Sequence, residues 1–302
     1  MRTFSLLLPV FVAACTTPGA QLASILPDDR LSIDEAAFSD AAMRGVGESS
    51  EYYATTRSAV TDTNTMVGDV LSLIEAITSF DPTWSDEEST ALWGPWLDDG
   101  MYGQLWVREE ADGSYSWAIE LRPEASDETA WVGVLNGIVA AGATDQASAG
   151  EFVLDLTALE ELGGGDGTTG TFSCVYDLSG EGSVVDVGFG QIADGSAPPA
   201  DGMYHYEQTR GVGGLMDLAV EANLDGTETD TIETLIIRSR WQLDGQGRAD
   251  AYVTGGDLGA LTYTETDCWD RSHSTVFFEN NFELLSEGDP SACAFAEPSF
   301  ND

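Results

Sequence analysis

Lysine is missing from this chain. All 11 of its basic side chains are arginines, set against 53 Asp and Glu and only 2 His, for a formal net charge of -42. Without lysine there is no amine for Schiff-base chemistry and none for a lysine-dependent phosphate loop. Nucleic-acid binding is excluded on the same ground, because neutralising phosphates and releasing their counterions takes cations that this surface does not offer. The bias runs through the whole chain, so the acid reads as a solvating surface suited to a salty medium and not as a local site for cations or a basic partner.

Other absences narrow the chemistry further. His205 and His273 each lack a second His or Cys at ligand spacing, which removes the usual transition-metal arrangements. There is no Gly-x-Ser-x-Gly elbow to anchor a serine triad and no Cys-x-x-Cys for redox work. Acidic pairs such as Asp98-Asp99, Glu109-Glu110 and Glu160-Glu161 are too common here to single out a general acid. "GDGTTG" holds Gly165, Gly167 and Gly170 in the dinucleotide pattern, but "TALEEL" before it reads as a helical turn and a strand follows. That order is the reverse of a pyrophosphate cradle, so the stretch is a loop. Asp225 to Asp230 offers carboxylates at loop spacing for calcium without the ligand order of an EF-hand. No catalytic residue, metal or cofactor is assigned.

What the sequence does have begins at its start. Leu6 to Val12 form an apolar stretch far shorter than the ~20 residues that span a bilayer, preceded by Arg2 and followed by Ala13, Ala14 and Cys15. Val-Ala-Ala-Cys at this position resembles the lipobox of bacterial lipoproteins. The resemblance implies removal of residues 1-14, acylation of Cys15, and a membrane as partner through the lipid anchor. Two or three acyl chains, at ~0.8 kcal/mol per buried CH2, hold such an anchor durably. Thr16 in place of Asp implies, by the same resemblance, the outer membrane of a Gram-negative cell envelope. Residues 15-48 read as the lipidated N-terminus and a tether of roughly 30 Å.

Residues 49-302 read as one domain. Val60, Val67, Leu71, Ile74 and Ile77 fall at steps of three or four, Ser49 or Ser50 can cap them, and Asp81-Pro82 ends the run, predicting one long helix over about 49-80. From Met101 the period becomes two: Tyr115, Trp117, Ile119 and Leu121 alternate with polar residues, and the pattern returns through Phe152-Leu156, Val185-Phe189, Met216-Val220 and Leu235-Leu243. About ten sequential antiparallel strands follow, each with one apolar face. The predicted fold is mainly β with one long N-terminal helix, a curved antiparallel sheet, half-barrel or barrel packed on that helix. Cys174 shares a strand face with Phe172, Tyr176 and Leu178 and should be a buried thiol; Cys268 and Cys293 can pair to pin the C-terminal loop for ~3 kcal/mol.

Helix followed by consecutive strands behind a lipobox resembles the acidic bacterial lipoproteins and, in architecture alone, the lipoprotein-localisation carriers, whose half-barrels hold acyl chains against helices. That resemblance implies a non-catalytic protein binding a lipid or an envelope protein partner, with Leu71, Trp117, Ile119, Leu235 and Ile237 on the inward rows that would meet such a ligand. A carboxylate- or metal-dependent envelope hydrolase is the alternative. Trp93, Trp96 and Trp106 around Gly94-Pro95 read as a plug at one end of the sheet.

Overall fold

A computed structural model describes residue 22 and residues 46-86, 89-144, 147-178, 182-195, 198-224 and 231-300. Cys15, nearly all of the tether and the Asp225 to Asp230 loop lie outside the described residues. Helix α1 (Glu51–Thr78) opens the wall of the fold. Its N-cap is Ser50, whose hydroxyl accepts from the Tyr53 amide, and Val60, Val67, Leu71 and Ile74 make its buried stripe. Just before it, Gly47 and Glu48 exchange backbone hydrogen bonds with Thr275, so the helix enters beside a strand from the far end of the chain.

Among the described residues fifteen strands follow, more than the alternation alone suggested. They are β1 (Trp84–Ser85), β2 (Thr90–Asp98), β3 (Met101–Glu109), β4 (Tyr115–Pro123), β5 (Val132–Val139), β6 (Ala149–Asp155), β7 (Thr169–Asp177) and β8 (Gly182–Ala193). The second half comprises β9 (Ala200–Thr209), β10 (Gly213–Ala222), β11 (Glu233–Gln242), β12 (Gly247–Gly255), β13 (Tyr263–Trp269), β14 (Thr275–Asn280) and β15 (Leu285–Gly288). A short helix, α2 (Leu156–Glu161), lies between β6 and β7, as read from "TALEEL". Each strand pairs antiparallel with the next in one sheet, ordered β1 to β15 without a crossover and without closure. Two of the fifteen are short edge pieces, β1 with two residues and β15 with four.

The helix runs across the strands. Ser50 Oγ donates to Asp267 on β13 (2.7 Å), Thr56 and Ser239 on β11 share a hydroxyl bond of 2.5 Å, and Tyr204 on β9 donates to Asn64 (3.2 Å). Past the other end of α1, the Trp93 indole of β2 donates to the Phe80 carbonyl (2.8 Å). Eleven strand intervals separate β2 from β13, about 53 Å of sheet at ~4.8 Å each. A helix of 28 residues measures only about 42 Å. A sheet tied to both ends of a shorter helix must bow around it, and α1 therefore occupies the concave side.

Cross-strand register lays the concave side out in rows. One runs Val107, Trp117, Gly137, Phe152, Cys174, Val187, Tyr204, Leu218 and Ile237; the next runs Leu105, Ile119, Leu135, Leu154, Phe172, Phe189 and, further on, Val220 and Leu235. Most of these side chains are buried in one core with the α1 stripe and Leu22. Large rings fit because glycine faces them from the neighbouring strand. A Cβ on Gly103 would lie 2.5 Å from the Trp96 ring, on Gly137 2.4 Å from Trp117, on Gly214 2.4 Å from Trp241, and on Gly247 2.3 Å from Trp269. Each indole thus lies flat over a strand without a side chain, where a twisted sheet accepts it best.

On the convex side the chain's end is strapped down. Cys268 and Cys293 form a disulfide, and Phe300 stacks on Tyr252 at 5.3 Å with the Arg238 guanidinium 5.5 Å from its ring. Beneath the strap, Arg248 grips Asp250 through two bonds of 2.7 and 2.6 Å, and Arg240 does the same to Asp217 at 2.7 and 3.3 Å. Forked pairing of this kind keeps two of the scarce cations occupied.

The ring-over-glycine packing makes a direct test. All three atoms nearest to a Gly103 Cβ belong to Trp96, so Gly103→Ala should cost about 1–3 kcal/mol, read as a lower urea midpoint. In a Trp96→Leu background the same substitution should cost less than half as much; an equal cost in both backgrounds would show that the ring is not what the glycine accommodates.

Candidate functional site

The interior is polar at one end of α1 and apolar at the other. Over the first half of α1, Ser50, Thr56, Asn64, Ser239 and Asp267 are all buried and joined to their neighbours across the helix–sheet contact by the bonds given above. Tyr53 stacks on His273 at 3.9 Å, and burial holds the His273 imidazole below its ordinary range, with Asp270 opposing. Burial pushes the Asp267 carboxyl up; hydrogen bonds from the Ser50 and Thr275 hydroxyls and from Tyr52 pull it back, and Glu265 adds to the rise. Every one of these groups faces a protein neighbour, which makes this end a dock for the helix.

At the other end the walls part. A cleft of about 540 Å3 opens between the last turns of α1 and β2, within the several-hundred-Å3 scale of ligand sites. Leu73, Ala76, Ile77 and Phe80 form its helix wall; Trp93, Gly94, Pro95 and Trp96 form its sheet wall. Phe80 is 72% exposed and Leu73 47% exposed, so the apolar lining is open to solvent and not sealed core. A contiguous apolar opening is uncommon on the surface of a highly charged protein, which makes this cleft the candidate site.

A β-bulge builds the sheet wall. Residues three apart on a regular strand face opposite sides, yet Trp93 opposes Leu105 and Trp96 opposes Gly103, with the register shifting between them. The extra residue lies at the cis Gly94-Pro95 bond, and it turns both indoles to the concave side. Gly94 has φ of +102°, and a Cβ there would meet the Gly103 carbonyl at 2.7 Å, so only glycine serves. Trp93 is buried with its N–H bound to Phe80, while Trp96 stays half-buried over Gly103. Thr83 spends its hydroxyl on the Leu92 and Gly94 carbonyls at 3.0 and 2.6 Å.

The residues expected to meet a ligand are elsewhere. Leu71, Trp117, Ile119 and Ile237 are 2 to 5% exposed, and Leu235 packs partly buried on the same core. Trp117 and Ile237 share one cross-strand row and Ile119 and Leu235 the next, but β4 and β11 are seven intervals apart, about 34 Å along the sheet. They form the lining that α1 covers and do not converge on one pocket. Of the expected tryptophan plug, Trp106 points to the convex side, where it meets Trp84 edge-on at 6.1 Å and donates to Glu120 at 3.2 Å. His205 lies on that side as well, 2.6 Å from Asp186. Cys174 is a buried thiol, pushed up by burial to about 12, and is inert at neutral pH. Leu73, Ala76 and Phe80 escaped the sequence reading because they flank the buried stripe of α1 and look like its solvent side; the exposed Phe80 next to the helix stop was the one available signal.

Among the described residues, no three or more His, Cys, Asp and Glu side chains gather as metal ligands would, and no helix is long and apolar enough to cross a membrane. Comparison of the chain with models of protein families, with curated proteins and with solved structures finds no match.

The buried carboxyl yields a pH prediction. Because the folded Asp267 holds its proton to higher pH than the unfolded chain does, the folded state binds more protons between the two pKa values, and stability falls as pH rises through that window. Asp267→Asn keeps the shape and removes the titration. Its stability relative to the parent, from urea unfolding, should therefore be higher at pH ~7 than at pH ~4; an equal difference at both would mean that ionisation at this position is not resisted by the fold.

Proposed function

We propose that this is a lipid-anchored, non-catalytic protein of the cell envelope that binds an apolar ligand, a lipid or acyl chain, in the cleft between the end of α1 and β2. The observation that carries the reading is the solvent-open apolar cleft of about 540 Å3 in a chain whose charge is -42. Exposing Phe80 and Leu73 to water costs roughly 25 cal/mol per Å2 of apolar surface, and a ligand chain laid between the helix wall and the Trp93–Trp96 wall recovers it. The walls are rigid where recognition needs rigidity: the Phe80 carbonyl is tied to Trp93, and Trp96 is seated on Gly103.

The lipobox-like Val-Ala-Ala-Cys at Cys15 supports the anchoring half of the reading, and the disulfide supports an oxidising compartment outside the cytoplasm. A site that takes up apolar chains is best used close to a membrane, where such ligands are concentrated, and the tether keeps it there. The outer membrane of a Gram-negative cell is the location proposed on the strength of Thr16.

Two measurements test the halves separately. A neutral, polarity-sensitive dye should bind the parent protein and lose at least about tenfold in affinity in Ala76→Trp, which fills the cleft from an exposed helix position, while Leu284→Ser, on a different exposed apolar residue, leaves binding unchanged. Dye binding untouched by Ala76→Trp would remove the cleft as the site. Detergent phase separation should place the parent in the detergent phase and Cys15→Ser in the aqueous phase; identical partitioning would remove the lipid anchor.

A further inference from the structure

The cleft lies where the electrostatics of α1 are negative. Aligned peptide dipoles leave about half a negative charge at a helix C-terminus, and the helix wall of the cleft is made from those last turns and the residues just after them. No basic residue occupies the last turn of α1. Its terminal carbonyls are met by neutral donors instead: the Thr78 hydroxyl bonds to Ile74 (2.8 Å), the Ser79 amide to Glu75 (2.9 Å) and the Ser79 hydroxyl to Ala76 (2.7 Å). Asp81 adds a full negative charge to the lining, and among the described residues no arginine lines it.

An anionic head group would find one neutral donor left among the lining side chains, the Trp96 indole N–H. The Trp93 N–H and the Thr83 hydroxyl are both spent on backbone carbonyls, and Pro95 has no N–H. A positive head group meets the opposite situation: the faces of Phe80 and Trp96, a carboxylate at Asp81 and the helix end. Aromatic faces combined with negative charge are how proteins hold ammonium groups.

We infer that the cleft prefers apolar chains that carry a positively charged, ammonium-type head group, and discriminates against anionic ones such as fatty acids. The inference rests on the apolar-ligand reading above and adds the charge class to it. The cation sits at the Asp81 rim and its chain lies between Ile77 and Trp96.

Titration calorimetry of the full chain with three amphiphiles of one chain length, dodecyltrimethylammonium, dodecyl maltoside and dodecanoate, each below its micelle concentration, tests it. The ammonium should bind about tenfold or more tighter than the carboxylate at low salt, with the maltoside between them. The gap should narrow at ~1 M salt, where the Debye length is about 3 Å, and shrink in Asp81→Asn; Ala76→Trp should abolish all binding. If the three bind equally and Ala76→Trp still abolishes it, the charge preference is wrong and the apolar site stands. If none binds, the apolar site falls as well. If the ammonium binds best but Ala76→Trp and Asp81→Asn leave its affinity unchanged, the cation is held by the acidic surface at large and the inference is overturned.

Discussion

An open fifteen-strand meander with one apolar face, as the described residues form, depends on something covering that face. Here the cover is α1. Its stripe of Val60, Val67, Leu71 and Ile74 is almost fully buried against rows of Trp, Phe, Tyr and Val from strands spread along the sheet. Each large side chain so buried contributes ~1.5–3 kcal/mol, and the sum offsets the entropy of ordering a long, non-local sheet. The helix also sets curvature, because it is shorter than the stretch of sheet to which its two ends are tied. The glycines opposite the tryptophans follow from this constraint: a concave face has less room than a flat one, and rings lie over strands stripped of side chains.

Open sheets invite edge-to-edge association, and this one blunts both of its edges. β1 has two residues and β15 has four. β2, next to the first edge, carries the Gly94-Pro95 bulge, which removes an amide donor and shifts register. At the other side Gly47 and Glu48 take up the Thr275 backbone groups that β15 is too short to reach. The strap after Cys293 folds back over β11 and β12 on the outer side. Repulsion among so many carboxylates adds a global barrier to self-association.

The cleft is a by-product of how the helix ends. The Trp93 indole of β2 is tied to the Phe80 carbonyl just past the end of α1, and beside that tie a cleft lined by Leu73, Ile77, Phe80 and Trp96 stays open. The polar dock at the N-terminus and the apolar gap at the C-terminus thus belong to one design. The first orients the helix through directional bonds, and the second leaves an apolar cleft open to solvent.

Local periodicity was enough for the helix, a serine cap at 49 or 50 and the buried stripe, for the alternating strands, for the buried Cys174 and for the Cys268–Cys293 pair, because each follows from residues adjacent in sequence or from elimination among few candidates; the structure selects Ser50 as the cap. It was also enough to tell which side chains face inward on β4 and β11. It could not separate an inward residue that is covered from one that is open, since coverage sums contacts from far along the chain: Trp117, Ile119, Leu235 and Ile237 look the same in sequence whether α1 lies on them or not, and Leu71 of α1 looks the same whether a strand or a ligand faces it. Nor could it place Trp93 and Trp96 on one face, because the bulge that does so is a matter of register between two strands. The acidity, the lack of lysine and the lipobox-like start are properties of the sequence alone; the curvature, the cleft and its negative field exist only once a helix of fixed length is fastened across a sheet longer than itself.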